Sequence, residues 1–372
     1  MRRMARRSAR NTVSSTWVRL FQRSVSTLAG HGARAGSLAL RQVLKPVVQQ
    51  RKPPAVPVAA GDWLPGVAMG PAGLRRFRLY RPPGVMLGER LPLLVMLHGC
   101  GQDAKRFAQS TRMNSLAARE RFLVLYPEQD RLANAQGCWN WYDTQTGRAH
   151  GEAALIMAAI DQVCLLYPAD RQRVALVGLS AGASMAALLA TRHPERFKAV
   201  VMHSGIPPGS AHSPLSALGA MQGRRTGVAA LRSALASQAG TLSATGRPQA
   251  KDRTKAQTQQ GPERPPLLVI HGGADAVVAA SNGSTAARLW ASAANARPSA
   301  ARSVQRGRRH AMTITDFKQR GRTLVTLVEV ACLGHAWSGG AQKQPFSDAL
   351  GPDASRMAWA FASKQFRATP GR

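Results

Sequence analysis

Val-Ala-Leu-Val-Gly-Leu-Ser-Ala-Gly, residues 174–182, is the stretch of this sequence that decides the fold. Its first four residues are apolar and rich in valine, as is typical of a short buried strand. Gly178, Ser180 and Gly182 then form a Gly-x-Ser-x-Gly turn, and an Ala-rich and Met-rich helix is predicted over residues 183–191. A sharp strand-to-helix turn of this kind raises the serine hydroxyl above the end of a sheet. The flanking strand and helix distinguish the motif from an ordinary Gly/Ser turn.

Other apolar runs place this turn in a larger sheet. Short runs typical of strands cover residues 77–80, 91–97, 122–126, 197–202, 266–270 and 323–330, and helical periodicity covers residues 152–166. Continuously apolar strands separated by helices are buried on both faces. The pattern therefore predicts an α/β fold with a mostly parallel sheet and helices on both faces.

Composition divides the chain into a basic tail and one larger domain. Residues 1–60 contain twelve Lys or Arg and no Asp or Glu, and they end in a Pro-rich linker. We predict a disordered N-terminal tail and linker over residues 1–61 and a catalytic domain over residues 62–372. Residues 209–262 are rich in small and polar residues, so they form an insertion that is either a lid or a disordered excursion.

The net charge of +33 and the isoelectric point of about 11.8 are extreme. They favour nucleic acid, an anionic membrane or another acidic surface as a partner, unless a codon bias toward arginine is their main cause.

The four cysteines contain no Cys-x-x-Cys pair, which disfavours a zinc site or a redox dithiol. No apolar run has the length of a transmembrane helix, and the basic N-terminus lacks the apolar stretch of a secretory signal.

A serine hydroxyl is a weak nucleophile, so Ser180 needs a base and an acid that orients the base. In this fold both follow the serine in the chain, the acid first. Asp275 directly follows one predicted strand, and His335, the last histidine, follows the final one. His310 is the nearest competing base and is predicted to be a solvated loop residue. The rival acids are Glu195, Asp252, Glu263 and Asp316.

Two backbone N–H groups are candidates for an oxyanion hole that stabilises the charge created by attack of Ser180. The N–H of Ala181 lies at the N-terminus of the predicted helix. A second donor is expected from the loop after an earlier strand, and the N–H of Cys100, in His98-Gly99-Cys100-Gly101, fits that position. We expect His98 itself to be structural, because it precedes the serine.

An aromatic segment lies after another predicted strand and thus near the same rim. Trp139, Asn140 and Trp141, together with Trp337, are candidate substrate contacts, and plain core packing is the alternative.

Cys100 and Cys138 both lie on loops at the carboxyl ends of strands. They are able to pair and fix the oxyanion loop, unless a reducing compartment keeps both as free thiols.

These motifs, in this order, resemble the polyhydroxybutyrate (PHB) depolymerase family of esterases. The matching stretches are residues 95–102, 125–129, 137–141, 177–182, 201–205, 270–275 and 334–340, within roughly residues 70–365. The resemblance implies an α/β-hydrolase fold, a serine esterase without metal or cofactor, and short-chain 3-hydroxybutyrate polyester or oligomers as substrate. It also implies an extracellular location, since family members are often secreted.

Several alternatives stay open. Relatives in the family act on feruloyl or acetyl groups of plant polysaccharides, so a carbohydrate esterase or a general carboxylesterase is the second candidate. A peptidase on the same scaffold is a further, less favoured alternative. A basic surface-binding protein is also less favoured, because the complete set of Ser180, Asp275 and His335 argues against loss of catalysis. For this reason we expect no nucleic-acid partner. The chain ends at Arg372 without the substrate-binding domain of many polymer depolymerases, which disfavours crystalline polymer as a substrate.

Overall fold

The structure is a computed structural model that describes residues 61–224 and 263–368. Residues 1–60 of the tail predicted over residues 1–61, and residues 225–262 of the predicted insertion, lie outside the described residues. Described structure begins with a strand at Asp62. The first part of the predicted insertion contains a helix, Pro214–Met221, which begins with a capping box formed by Ser213 and Ser216.

A central sheet organises the described chain. Its strands are β1 (Asp62–Gly70), β2 (Gly73–Arg81), β3 (Leu91–Leu97), β4 (Leu123–Pro127), β5 (Ala169–Leu179), β6 (Ala199–His203), β7 (Leu267–Gly272), β8 (Arg297–Pro298), β9 (Arg302–Val304), β10 (Met312–Gln319) and β11 (Arg322–Val330). The spatial order is β1-β2-β4-β3-β5-β6-β7-β11-β10-β8, with β9 also paired to β10. The strands from β4 to β11 in this order run parallel, whereas β1, β2, β8, β9 and β10 pair antiparallel at the two edges.

Helices cover both faces of the sheet. They are α1 (Ala104–Thr111), α2 (Met113–Glu120), α3 (Arg148–Leu166), α4 (Ala181–Arg192), α5 (Pro214–Met221), α6 (Ser281–Ala293) and α7 (Ala354–Arg367). A small second sheet pairs β12 (Trp337–Ser338) with β13 (Ser347–Asp348).

The core has two layers because side chains of a strand alternate between the two faces of the sheet. In β3, Leu93, Val95 and Leu97 pack in one cluster with residues of α3, α4 and α6. Leu94 and Met96 of the same strand pack in a second cluster with residues of α1, α2 and α7. This architecture confirms the predicted α/β-hydrolase fold with a mostly parallel sheet.

Helix α3 is the one helix of the described residues with the length and apolar composition of a membrane span. It packs against β1, β2 and β5, and 56% of its apolar stretch is buried within the fold. Core packing therefore accounts for its composition.

Apart from the start of β5, the parallel strands were predicted to within two residues at each end, and residues 77–80 of the antiparallel strand β2 were also predicted, but β1 and β10 were not. Strand β1 contains Pro65 and Gly66, which weaken a strand pattern. Strand β10 is half exposed and mixes apolar and polar residues. Neither strand contains the continuous apolar run by which the buried strands were identified.

Candidate active site

The turn between β5 and α4 places Ser180 at the carboxyl edge of the sheet. Ser180 has φ 56° and ψ −123°, a conformation that non-glycine residues rarely adopt. A side chain at Gly178 would clash with the backbone of Gly182, and one at Gly182 would clash with the backbone of Leu97. Both glycines are therefore required by the close approach of β5, α4 and β3, as the motif predicted.

The three residues predicted to act together meet at this edge. His335 Nε2 lies 2.9 Å from Ser180 Oγ, and His335 Nδ1 lies 2.8 Å from Asp275 Oδ2. The strands β5, β6, β7 and β11 are adjacent and parallel in that order, so the residues that follow their carboxyl ends lie at the same edge of the sheet. With Asp275 ionised, Nδ1 donates to the carboxylate and Nε2 is free to accept the serine proton.

Asp275 is buried, and its surroundings favour the ionised form. Burial opposes ionisation, but the hydrogen bond from His335 and further favourable interactions outweigh it and hold the pKa of Asp275 below its ordinary value. Its second oxygen, Oδ1, accepts the N–H groups of Val277 at 2.9 Å and Val278 at 2.8 Å. The carboxylate is thus fixed from both sides.

Those rival residues that the structure describes lie away from Ser180. Asp316 accepts hydrogen bonds from Arg302 and Thr326 on the antiparallel edge. Glu195 lies in a 3-10 turn beyond the far end of α4, Glu263 is exposed, and Asp252 lies outside the described residues. His310 lies in a loop, as predicted, but the prediction that it is solvated is wrong: it is partly buried, with Nε2 3.0 Å from Asp348 Oδ2.

The loop that carries Cys100 lies against the serine turn. Gly182 approaches the backbone of Leu97 and His98, and Gly99 lies against Leu179. Cys100 is joined to Cys138 by a disulfide, and the N–H of Gly101 donates to the carbonyl of Gln136 at 2.9 Å. Cys100 and Ala181, the two predicted oxyanion donors, therefore lie on segments that contact each other.

A buried polar network lies behind this loop. Glu152 of α3 accepts from Gln129 Nε2 at 2.6 Å and from the backbone N–H of Asn140 at 2.9 Å. Arg75 donates to the carbonyl of Glu128 at 3.1 Å and to Gln129 Oε1. Glu152 and Arg75 were not predicted as parts of the site. For Glu152, a charged residue within a mostly apolar helix was the available signal, because such charges are buried only with partners. Arg75 carried no such signal, because β2 contains three further arginines.

The predicted substrate contacts lie in the interior. Trp139 and Trp337 are fully buried, with indole N–H groups donating to His98 O at 3.0 Å and to Ser355 Oγ at 3.1 Å. Asn140 is also buried and donates to Glu152 at 2.6 Å, and Trp141 is 6% exposed. These positions fit core packing, the alternative that the sequence left open, and we assign Trp139, Asn140 and Trp337 no substrate contact.

The fold and the arrangement of this edge define the class of the protein as an α/β-hydrolase. Within that class, the chain belongs to the family described as Esterase PHB depolymerase, whose model matches residues 75–294. The family suggested by the sequence motifs is therefore confirmed.

Several esterases are similar to this chain. Poly(3-hydroxyalkanoate) depolymerase C of Paucimonas lemoignei is 33% identical over 41% of this chain and 36% of that protein. Feruloyl esterase B of Neurospora crassa is 32% identical over 35% of this chain and 44% of that protein. The chain thus spans less than half of the length of these relatives. An acetyl xylan esterase structure from Aspergillus awamori shares the fold, with a TM-score of 0.57 and 18% identity over 74% of this chain and 94% of that one.

Proposed function

We propose that this protein is a serine esterase that hydrolyses carboxylic esters through an acyl-enzyme. The observation that carries the proposal is His335, which lies within hydrogen-bond distance of both Ser180 and Asp275. His335 removes the serine proton during attack on the ester carbonyl, and Asp275 stabilises the resulting imidazolium. The N–H groups of Ala181 and Cys100 bind the oxyanion. His335 then protonates the leaving alcohol and later activates the water that releases the acid.

For the substrate, we propose short-chain 3-hydroxybutyrate polyester or its oligomers. Family membership and the similarity to a poly(3-hydroxyalkanoate) depolymerase support this choice. The second candidate is a feruloyl or acetyl ester of a carbohydrate, which the similarity to feruloyl esterase B and acetylxylan esterase A supports. The Cys100–Cys138 disulfide supports an extracellular location, because disulfides persist in oxidising compartments.

The test is a substrate panel with the wild type and Ser180→Ala. The panel contains p-nitrophenyl acetate and butyrate, 3-hydroxybutyrate oligomers, methyl ferulate and acetylated xylan. We expect the highest kcat/KM on the hydroxybutyrate oligomers and no turnover of any ester by the variant. Preference for methyl ferulate or acetylated xylan would favour the second candidate. Equal activity of wild type and Ser180→Ala would overturn the serine mechanism.

A further inference from the structure

One buried histidine outside the Ser180, Asp275 and His335 set contacts two of the three loops that bring that set together. His203 is the last residue of β6, the strand between β5 and β7. Its backbone carbonyl accepts the N–H of Ser180 at 2.9 Å. Its ring Nε2 accepts the N–H of Ser338 at 3.1 Å, three residues after His335. One residue therefore joins the serine turn to the loop that carries the base.

The ring of His203 is held so that Nε2 stays an acceptor. Because Nε2 accepts a backbone N–H, the ring proton lies on Nδ1, which is 3.2 Å from Ser204 Oγ. The ring stacks on Trp337, with centroids 5.0 Å apart and planes at 24°. Complete burial lowers the pKa of His203 to about 3, so the ring is neutral near pH 7.

We propose that His203 is a positioning residue that sets the contact between Ser180 and His335, a role that rests on the proposed function. The base must stay within hydrogen-bond reach of the nucleophile, and a displacement of about 1 Å can lower the rate by about 100-fold. The loop over residues 331–338 carries no disulfide, since its one cysteine, Cys332, is a free thiol. The Ser338 bond and the Trp337 stack are contacts that hold this loop beside β6.

Two substitutions distinguish the effect of the hydrogen bond to Ser338 from the effect of the stacking on Trp337. His203→Gln places an amide oxygen near the position of Nε2 and removes the stack, whereas His203→Phe keeps a stacked ring and leaves the Ser338 N–H without an acceptor. We expect His203→Phe to lower kcat on a soluble p-nitrophenyl ester by about 100-fold with little change in KM. His203→Gln should stay within about 10-fold of the wild type. His193→Phe, at the far end of α4, is the matched control and should leave kcat unchanged.

A measurement without substrate distinguishes failure of this inference from failure of the proposed function. The Nδ1 proton that His335 shares with Asp275 should give a low-field proton NMR signal in the wild type and in His203→Gln, and a broadened or missing signal in His203→Phe. Should His203→Phe unfold, His203→Leu takes its place with the same expectation. A wild type without esterase activity would remove the proposed function, and the NMR comparison would still decide the geometry. An unchanged signal and kcat in His203→Phe, or equal losses in the Gln and Phe variants, would overturn the inference.

Discussion

The loop of Cys100 and the loop of His335 complete the same site, but they are held in different ways. The Cys100 loop is fixed by a disulfide and by the buried network around Glu152. The His335 loop is held by hydrogen bonds and by the stack on His203. An oxyanion donor acts as a fixed dipole, so it is most effective when rigid. A base makes and breaks bonds to its proton, and a non-covalent support holds it in reach while leaving its ring free to act.

A buried, neutral histidine at the end of a strand lies beside each loop. His98 precedes the Cys100 loop, and its Nε2 accepts the N–H of Gln129 at 3.1 Å. His203 lies on another strand, β6, and its Nε2 accepts the N–H of Ser338, within the His335 loop. Burial lowers the pKa of His98 to about 4 and that of His203 to about 3. Beside each loop, therefore, a histidine Nε2 accepts a backbone N–H, but only the Cys100 loop carries a disulfide among the described residues.

The largest effect on kcat is expected when the nucleophile Ser180 or the base His335 is removed. Ser180→Ala and His335→Ala should each lower kcat on the order of 10⁶-fold, because the two groups act as a unit. The double variant should be no slower than either single variant, since the residual rate comes from binding and the oxyanion donors. Steady-state kinetics on one soluble ester measures all three. A double variant that is much slower than both singles would contradict shared action.

A smaller effect is expected when the covalent bond of the oxyanion side is removed. The double variant Cys100→Ser/Cys138→Ser keeps the Cys100 N–H, so kcat should fall by at most about 100-fold. The free energy of unfolding should fall by about 2–4 kcal/mol, because the cross-link no longer restricts the unfolded chain. Urea unfolding and ester kinetics measure both, and Cys332→Ser, an exposed free thiol, is the matched control. If the double variant were as inactive as His335→Ala, the difference between the two loops would not hold.

The smallest effect per residue is the pH dependence of stability that each of the buried histidines His98 and His203 causes. The pKa of His98 and His203 is lower in the folded protein than the ordinary 6.5, so only the unfolded chain binds these protons at mildly acidic pH. Their stabilising contribution is complete above about pH 6.5 and is lost as pH falls toward about 4 and 3, by about 1.4 kcal/mol per pH unit for each histidine. Urea unfolding at pH 7.5 and 5.5 should show this loss, and His203→Gln should reduce it. The same pH dependence in the variant would show that His203 is protonated in the native state.

The sequence predicted the parts of the site that follow buried strands. Ser180, Asp275 and His335 come directly after or just beyond continuous apolar runs, and the carboxyl ends of parallel strands lie at one edge. The support residues were missed for a physical reason. The apolar run before His203 ends one residue earlier, and its partner Ser338 lies 135 positions further along the chain. Glu152 was included in a predicted helix, but its burial depends on Gln129 and Asn140 of another segment.

By itself, the sequence determined the fold class, the order of the parallel strands along the chain, and the three residues that meet at the sheet edge. Local sequence patterns suffice for these predictions, because a glycine at a tight turn and an apolar run are properties of short segments, and the order of such segments is read directly from the chain. Only the tertiary structure decided between open alternatives. Cys100 and Cys138 are paired, and Trp139 and Trp337 pack in the core, since both outcomes depend on which distant segments come together. The neutral state of His203 is decided in the same way, because its pKa follows from burial that no local pattern records.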